Sequence, residues 1–563
     1  MSIFEEYSEE RKTLQEDGKL PSYFTTLGWK MFKEKYLYDC DTFEEQIDRI
    51  TTAVAKHCHT KQDYMRSRWK QLIMDGHAYL ATPPLANGGT DRGMDVSCSG
   101  GYVGDSIYDF GAARLEATVL TQEGFGTSAY LGGIRERGAV ISRGGTANGV
   151  VPVFDDMVIA SQKVSQGGTR RGAWAGYLPI DHGDFWELAD FVKQNPDGAN
   201  VGWVISNEVI QKLNEGDEDL TKRFQRALLI KCITGRGYFY FVDKVNANQP
   251  ECYKTHGLSS KASNLCTEIT LHSDADHSYT CVLSGMICST YDEWKDTDAV
   301  YCMTVFLDCL VSEFLDSAKG VRGMENVIRG TEKGRAIGLG LSGFHSYLQQ
   351  NMTPFGSFDA HMKNHEIFSH LQDESSRASK WMAKEWGEPL WCKGTGYRNT
   401  HRTALAPNVS SSLIFGSESQ GVTPWYGNVY SEGTAAGGMY RVNPVFIEVL
   451  KKHGKYSEDI LLDVLGKGGS VQHLEFLTQL EKSVLLTAFE INQEDILRLA
   501  AARQPYICQS QSLNLFFNAD EDESYIAYIH QLAFENPWIF SLYYLSSKAG
   551  VQASKGACST CES

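Results

Sequence analysis

Apolar residues near the N-terminus recur at helical spacing, and the rhythm changes near residue 76. Phe43, Ile47, Ile50 and Val54 share one face of a 3.6-residue period within a strongly charged segment. Thr42 and Glu45, three apart at the start of that run, have the pattern of a capping box. Together they predict a helical region over residues 1–75. Beyond it, glycine pairs mark turns at Asn87-Gly88-Gly89, Gly132-Gly133, Gly144-Gly145 and Gly167-Gly168. Gly237-Tyr238-Phe239-Tyr240-Phe241-Val242 reads as a strand, and residues 297–318 read as a helix. Cys302 and Cys309 lie seven apart on one face of that helix, where thiols pack as core. Strands alternating with helices predict an α/β fold with much parallel sheet over residues 76–545. No period of 20–50 residues is visible. After Tyr544 small and polar residues dominate, so residues 546–563 are expected to form a flexible tail.

The stretch Ser263-Asn264-Leu265-Cys266-Thr267-Glu268-Ile269 carries the strongest chemical signal. In an extended strand, Asn264, Cys266 and Glu268 point to one face. An amide, a thiol and a carboxylate in one cavity suit redox or radical chemistry with acid–base help. A buried cysteine in an ordinary strand accounts for the same residues, and the local pattern leaves both readings open.

Composition narrows the choice. The chain has 563 residues, enough for one large barrel or three to four average domains, with 42% hydrophobic and 22% charged residues. A net charge of −17 argues against nucleic acid or an anionic membrane as the main partner. It leaves room for phosphate-bearing small molecules held by backbone amides. The acidic N-terminus is no signal peptide, and no stretch of about 18 apolar residues predicts a membrane span. A cytoplasmic location is expected. There, 14 cysteines read as buried, catalytic or metal-binding thiols and not as a disulfide framework.

Several shorter motifs add to this. Cys558-x-x-Cys561 has no second pair to complete a zinc site, so a dithiol shuttle on a mobile arm is the better reading. Gly338-Leu339-Gly340-Leu341-Ser342-Gly343 matches a dinucleotide-binding glycine pattern but lacks a following strand with its acidic residue. It reads as a tight strand-to-helix turn. Ala406-Pro407-Asn408-Val409-Ser410-Ser411-Ser412 precedes an apolar run, either as a plain N-cap or as an anion-binding helix start. Thr82-Pro83 offers a second phosphate contact. Tyr543-Tyr544 by itself means packing.

In this order the pieces resemble the large, catalytic subunit of class I ribonucleotide reductase, over nearly all of residues 20–563. The resemblance rests on Asp95-Val96-Ser97-Cys98, on Ser263–Ile269, on Cys281-Val282-Leu283-Ser284, on Tyr543-Tyr544 and on the terminal dithiol. Val164-Ser165-Gln166-Gly167-Gly168-Thr169-Arg170-Arg171-Gly172-Ala173 and Thr234-Gly235-Arg236-Gly237 support it.

The resemblance implies a ten-stranded α/β barrel with the Cys266 segment at a loop tip inside, and reduction of ribonucleoside diphosphates to 2′-deoxyribonucleotides. On that basis Cys266 becomes a transient thiyl radical that abstracts the 3′ hydrogen, and Glu268 takes the 3′-hydroxyl proton. Asn264 holds the substrate hydroxyls, while Cys98 and Cys281 supply reducing equivalents and end as a disulfide. Cys558 and Cys561 re-reduce that disulfide, and Tyr543 and Tyr544 carry the radical. Thr82, Ser97, Pro407, Asn408, Val409, Ser410 and Ser411 would bind substrate.

Asp105, Ser106, Arg135, Ile141 and Arg143 match the site for deoxynucleotide or ATP effectors. The second effector loop, near residues 194–200, departs from the family's arginine-bearing pattern. The resemblance implies no metal or cofactor bound in this chain. It implies a small metal-containing radical-generating (beta) subunit, a thioredoxin- or glutaredoxin-like reductant and a homodimer. With about 80 residues before Thr82, an N-terminal ATP cone is expected to be missing, as in the short large subunits familiar from bacteriophages. A cobalamin-dependent (class II) reductase of the same barrel is the nearest rival, and Tyr543-Tyr544 speaks against it.

Overall fold

The computed structural model describes residues 3–142, 144–166, 170–196, 198–434 and 437–547. Five parallel strands form one half of its central sheet: Cys98–Tyr102, Gly126–Tyr130, Trp174–Pro179, Asn200–Ile205 and Tyr238–Phe241. Helices such as Ile107–Gln122, Val151–Gln162 and Phe185–Gln194 connect them, as parallel pairing requires. The second half begins with Leu283–Ile287 parallel to Gly338–Ser342. It continues through parallel bridges Leu339–Thr403 and Leu405–Gln511, and ends with Leu515–Phe517 parallel to Leu545–Ser547. The halves meet antiparallel at both seams. Cys98 stands opposite Cys281, and Ser541–Leu542 runs along Tyr240 and Phe239. Five segments in each half thus close a ten-stranded α/β barrel, as expected. Ser546 and Ser547 continue the last strand; residues 548–563 of the expected tail lie outside the described residues.

The strand Tyr238–Phe241 shows how the sequence makes two cores. Its side chains alternate, and both faces are covered. Tyr238 and Tyr240 join a cluster with Tyr177, Leu265, Cys266 and Tyr543 inside the barrel. Phe239 and Phe241 face outward into the main core, where they meet Phe534 edge-on.

The N-terminal segment is helical over Ile3–Glu16, Thr26–Lys35, Phe43–Ala55 and Gln62–Met74. Phe43, Ile47, Ile50 and Val54 are all buried. The capping box differs from expectation. Thr42 accepts from the Glu45 amide, but the Glu45 carboxylate takes the amide of Asp41 rather than that of Thr42, one residue further out. The expected helix at 297–318 spans Ala299–Ala318, with Cys302 and Cys309 buried. The glycine pattern at 338–343 is a strand-to-helix turn: Gly343, at φ 81°, links the strand to the helix Phe344–Gln350. A hairpin, Val429–Thr434 with Gly437–Val442, and the helices Pro444–Lys452 and Glu458–Gly466 contribute to a small separate core. Sequence patterning had not separated this unit. Among the described residues no helix is long and apolar enough to cross a membrane.

Candidate active site

The segment expected to be a strand at 263–269 is a tight turn projecting among the tyrosines inside the barrel. Thr267 takes φ 70°, which a strand does not allow. Hydrogen bonds within the segment explain the reversal. Ser263 Oγ donates to the carbonyl of Ile269 at 2.6 Å, and the Ile269 amide donates to Asn264 Oδ1 at 3.2 Å. Strands around the turn hold it from outside: Ser128 Oγ donates to the Ser263 carbonyl, Tyr177 OH to that of Asn264, and the Ser510 amide to that of Glu268. Alternation along a strand is therefore not what unites Asn264 and Glu268. Asn264 Nδ2 donates to Glu268 Oε1 at 2.9 Å across the turn.

Three further groups converge on the same point. Tyr543 OH donates to Cys266 Sγ at 3.4 Å. Asn264 Nδ2 lies 3.6 Å from Cys98 Sγ. Ser512 Oγ donates to the Cys266 carbonyl at 2.6 Å and lies 3.1 Å from Glu268 Oε2. Asn264, Cys266, Glu268, Cys98 and Cys281 are all buried. Cys98 and Cys281 are directly opposed in an antiparallel pair, so their Cα atoms are roughly 4.5–5.5 Å apart, within the span a disulfide bridges without backbone movement.

Behind Tyr543 the aromatic system continues. The Tyr543 and Tyr544 rings are 3.9 Å apart between centroids, and Tyr238 packs against both, at 4.9 and 5.8 Å. The buried Lys231 donates to the carbonyls of Tyr543 and Gly237, fixing the chain at the tyrosine pair. Burial pulls the Lys231 ammonium down to about 7, with Cys232 a weaker opposing influence. A neutral amine still has two hydrogens for two carbonyls. Tyr238, Lys231 and Ser512 escaped the sequence reading; only the alternation in Tyr238–Phe241 hinted at the first.

The expected phosphate-binding segments also come together. The helix Val409–Ile414 begins at Asn408, which is left-handed at φ 57° and follows Pro407. Asn408 Nδ2 donates to Tyr79 OH, and Ser411 Oγ to the Leu80 carbonyl, so this turn packs beside Thr82, where the helix Thr82–Asn87 starts. Ser410 Oγ is buried without a partner among the described residues. Ser97 adjoins both thiols, its amide donating to the Cys281 carbonyl.

The expected effector residues form a second, more exposed cluster. Arg135 Nε donates to Asp105 Oδ2 at 2.6 Å, and Ser106 caps the helix Ile107–Gln122. Ile141 exchanges backbone hydrogen bonds with Gly144 and Gly145. Arg143, Cys558 and Cys561 lie outside the described residues.

One group among the described residues has metal-ligand chemistry: His272, Asp274 and His277, with ligand atoms within 4.8 Å of one another. Burial works against the Asp274 carboxylate, but the Asp276 amide and the two imidazoles outweigh it and hold the group at about 2. Lys333 Nζ sits 2.7 Å from His277 Nε2 and already supplies a cation there.

Comparison with known proteins bears on the family and the fold. The family described as ribonucleotide reductase, barrel domain, matches residues 96–223, 220–391 and 391–544. The chain is similar to the class Id ribonucleotide reductase alpha subunit of Actinobacillus ureae, with a TM-score of 0.87 and 34% identity over 95% of this chain and 99% of that one. It is 32% identical to a putative ribonucleoside-diphosphate reductase large subunit of Frog virus 3, over 83% of this chain and 85% of the relative. It is 28% identical to the ribonucleoside-diphosphate reductase large subunit of Invertebrate iridescent virus 3, over 94% and 95%.

Proposed function

The chain belongs to the ribonucleotide reductase family, as a class I ribonucleoside-diphosphate reductase large subunit, and from that premise we propose the role of each residue in the barrel. Cys266, at the turn tip, is the thiyl radical site. One observation carries this: Tyr543 reaches Cys266 Sγ at 3.4 Å while Asn264, Glu268 and Cys98 stand around the same point. A hydrogen atom passes from Cys266 to the Tyr543 oxygen, and the radical then takes the 3′ hydrogen of the sugar. Glu268 accepts the 3′-hydroxyl proton, which eases loss of the 2′ oxygen as water. Asn264 binds the substrate hydroxyls and holds Glu268 in place. Cys98 and Cys281 each give up a hydrogen and close to a disulfide, after which Glu268 returns its proton and Cys266 returns the 3′ hydrogen to the sugar, leaving the radical on Cys266 to pass back to Tyr543. Cys558 and Cys561 then reduce the disulfide by thiol exchange.

The diphosphate would lie where Thr82 meets Pro407–Ser411, with Ser97 at the sugar end. The radical would enter through Tyr544 and Tyr543 from the small metal-containing partner subunit. Asp105, Ser106, Arg135, Ile141 and Arg143 would hold a deoxynucleotide or ATP effector. Ile107, Tyr108 and Leu115 expose apolar surface on the adjoining helix, which suits a face covered by a second copy. A thioredoxin- or glutaredoxin-like protein would recharge the terminal dithiol. The cytoplasm, where nucleoside diphosphates and thiol reductants coexist, would be its place of work.

The test is turnover of CDP with dithiothreitol and the partner subunit, for wild type and Cys266→Ser. Wild type should form deoxycytidine diphosphate and the serine variant none; product from the variant refutes the reading. Activity with adenosylcobalamin and without a partner would point to the cobalamin-dependent class instead.

A further inference from the structure

Ser512 stands just after the bridge between Leu405 and Gln511, and its amide donates to the Leu405 carbonyl. The side chain is buried and reaches two atoms of the Cys266 turn, the Cys266 carbonyl oxygen at 2.6 Å and Glu268 Oε2 at 3.1 Å. A hydroxyl has one hydrogen, and a carbonyl oxygen only accepts. The shorter contact therefore takes the Ser512 hydrogen. The longer contact becomes a full hydrogen bond when Glu268 carries a proton on Oε2. Asn264 Nδ2 meanwhile serves the other oxygen, Oε1, at 2.9 Å.

We propose that Ser512 is a positioning residue for proton acceptance by Glu268, receiving a hydrogen bond from the carboxylic acid formed when Glu268 takes the substrate's proton. The inference rests on the roles given above to Cys266 and Glu268. In the step, the O–H bond of the sugar hydroxyl breaks and an O–H bond forms at Oε2. The Ser512 hydrogen stays on Oγ, directed at the Cys266 carbonyl, and no electron moves. The product is a continuous chain, Oε2–H to Oγ–H to the carbonyl of the radical-bearing residue. A hydrogen bond made to the neutral form favours that form, so Ser512 strengthens Glu268 as a base through its contact with the carboxyl. The chain also ties the carboxyl to the turn itself. Ser541 Oγ supports the next peptide by donating to the Thr267 carbonyl at 3.2 Å, so the left-handed residue at the tip is held from the strand side.

The experiment compares wild type, Ser512→Ala and Ser512→Thr in single-turnover formation of deoxycytidine diphosphate from CDP, with the partner subunit, across pH 5.5–8.5. Ser512→Ala should lower the rate about 10- to 100-fold, the loss expected for one hydrogen bond to an ionisable group. KM for CDP should change less than about threefold, because the hydroxyl is already engaged by the Cys266 carbonyl and Glu268. The acidic limb of the pH–rate profile should move to lower pH, because the neutral form of Glu268 loses its acceptor. Ser512→Thr keeps the hydroxyl and should retain most of the rate and the wild-type limb. An alanine variant with an unmoved acidic limb overturns the proposal, whatever its rate, because a merely structural loss lowers the rate at every pH alike. A threonine variant as impaired as alanine also overturns it. If wild type gives no product, or Cys266→Ser does, the assignment of the active site itself fails; that result is distinct from either failure of Ser512.

Discussion

Glu116 offers a test of the fold in which the magnitude follows from the structure. Its carboxyl is buried on the inner face of the helix Ile107–Gln122, against the back of the Cys98–Tyr102 strand, in a small cavity also lined by Ser99, Thr127, Trp174 and Ser278. Oε2 accepts from Ser278 Oγ at 3.0 Å, but Oε1 has no partner among the described residues. Burial is the main cause that lifts the carboxyl from 4.5 to about 7, with the Ser278 hydroxyl and then the Val327 amide opposing it. The folded state thus binds a proton that the unfolded chain releases near pH 4.5. Any stability carried by this group is complete below pH 4.5 and is lost as pH rises past 7. A shift of that size corresponds to about 3 kcal/mol.

Glu116→Gln keeps the shape and removes the ionisation. The variant should match wild type near pH 4.5 and become more stable by about 3 kcal/mol above pH 7. Urea unfolding at pH 4.5, 6 and 8 can be followed by tryptophan fluorescence, to which Trp174 in the same cavity contributes. A stability difference that stays constant with pH, or that favours wild type at pH 8, refutes the reasoning. Either result would mean that water or local opening already solvates the carboxylate.

Two further outcomes are expected. Tyr543→Phe keeps the ring packing against Tyr238 and Tyr544 but removes the hydroxyl at Cys266 Sγ. Stability should fall by only about 1 kcal/mol, while CDP turnover should be lost; a phenylalanine variant with wild-type turnover would rule out passage through Tyr543. Asp308→Asn should cost about 3–5 kcal/mol, because it leaves Arg335 and Arg398 buried without their shared carboxylate. Burial disfavours the Asp308 charge, yet the two guanidinium groups hold it at about 2, so its contribution should be present above pH 4 and fade between pH 4 and 2. Thermal unfolding of both proteins at pH 7 and pH 3 checks this, and a gap that fails to narrow at pH 3 contradicts it.

The pattern of the chain carried much of this molecule. Helical spacing of Phe43, Ile47, Ile50 and Val54, and the apolar run from Tyr238 to Phe241, translate directly into elements because burial on one face or two is a local demand. The identity of the chemical groups was also legible: Cys266 between Asn264 and Glu268, the tyrosine pair, and Cys98 and Cys281 apart in sequence. Their arrangement was not. Period-two alternation predicts one face of a strand, whereas Ser263, Asn264 and Ile269 close a turn with side-chain hydrogen bonds that no periodicity encodes. The opposition of Cys98 and Cys281 arises at the seam where the two half-barrels meet, a pairing across 183 positions. Ser512 and Lys231 became visible only when the strands around residues 511 and 541 came to lie beside the turn. Residue type and local period fixed which groups were available, since these depend on near neighbours. Which groups touch was left to the closure of the barrel, since a contact between distant positions exists only when the whole sheet forms.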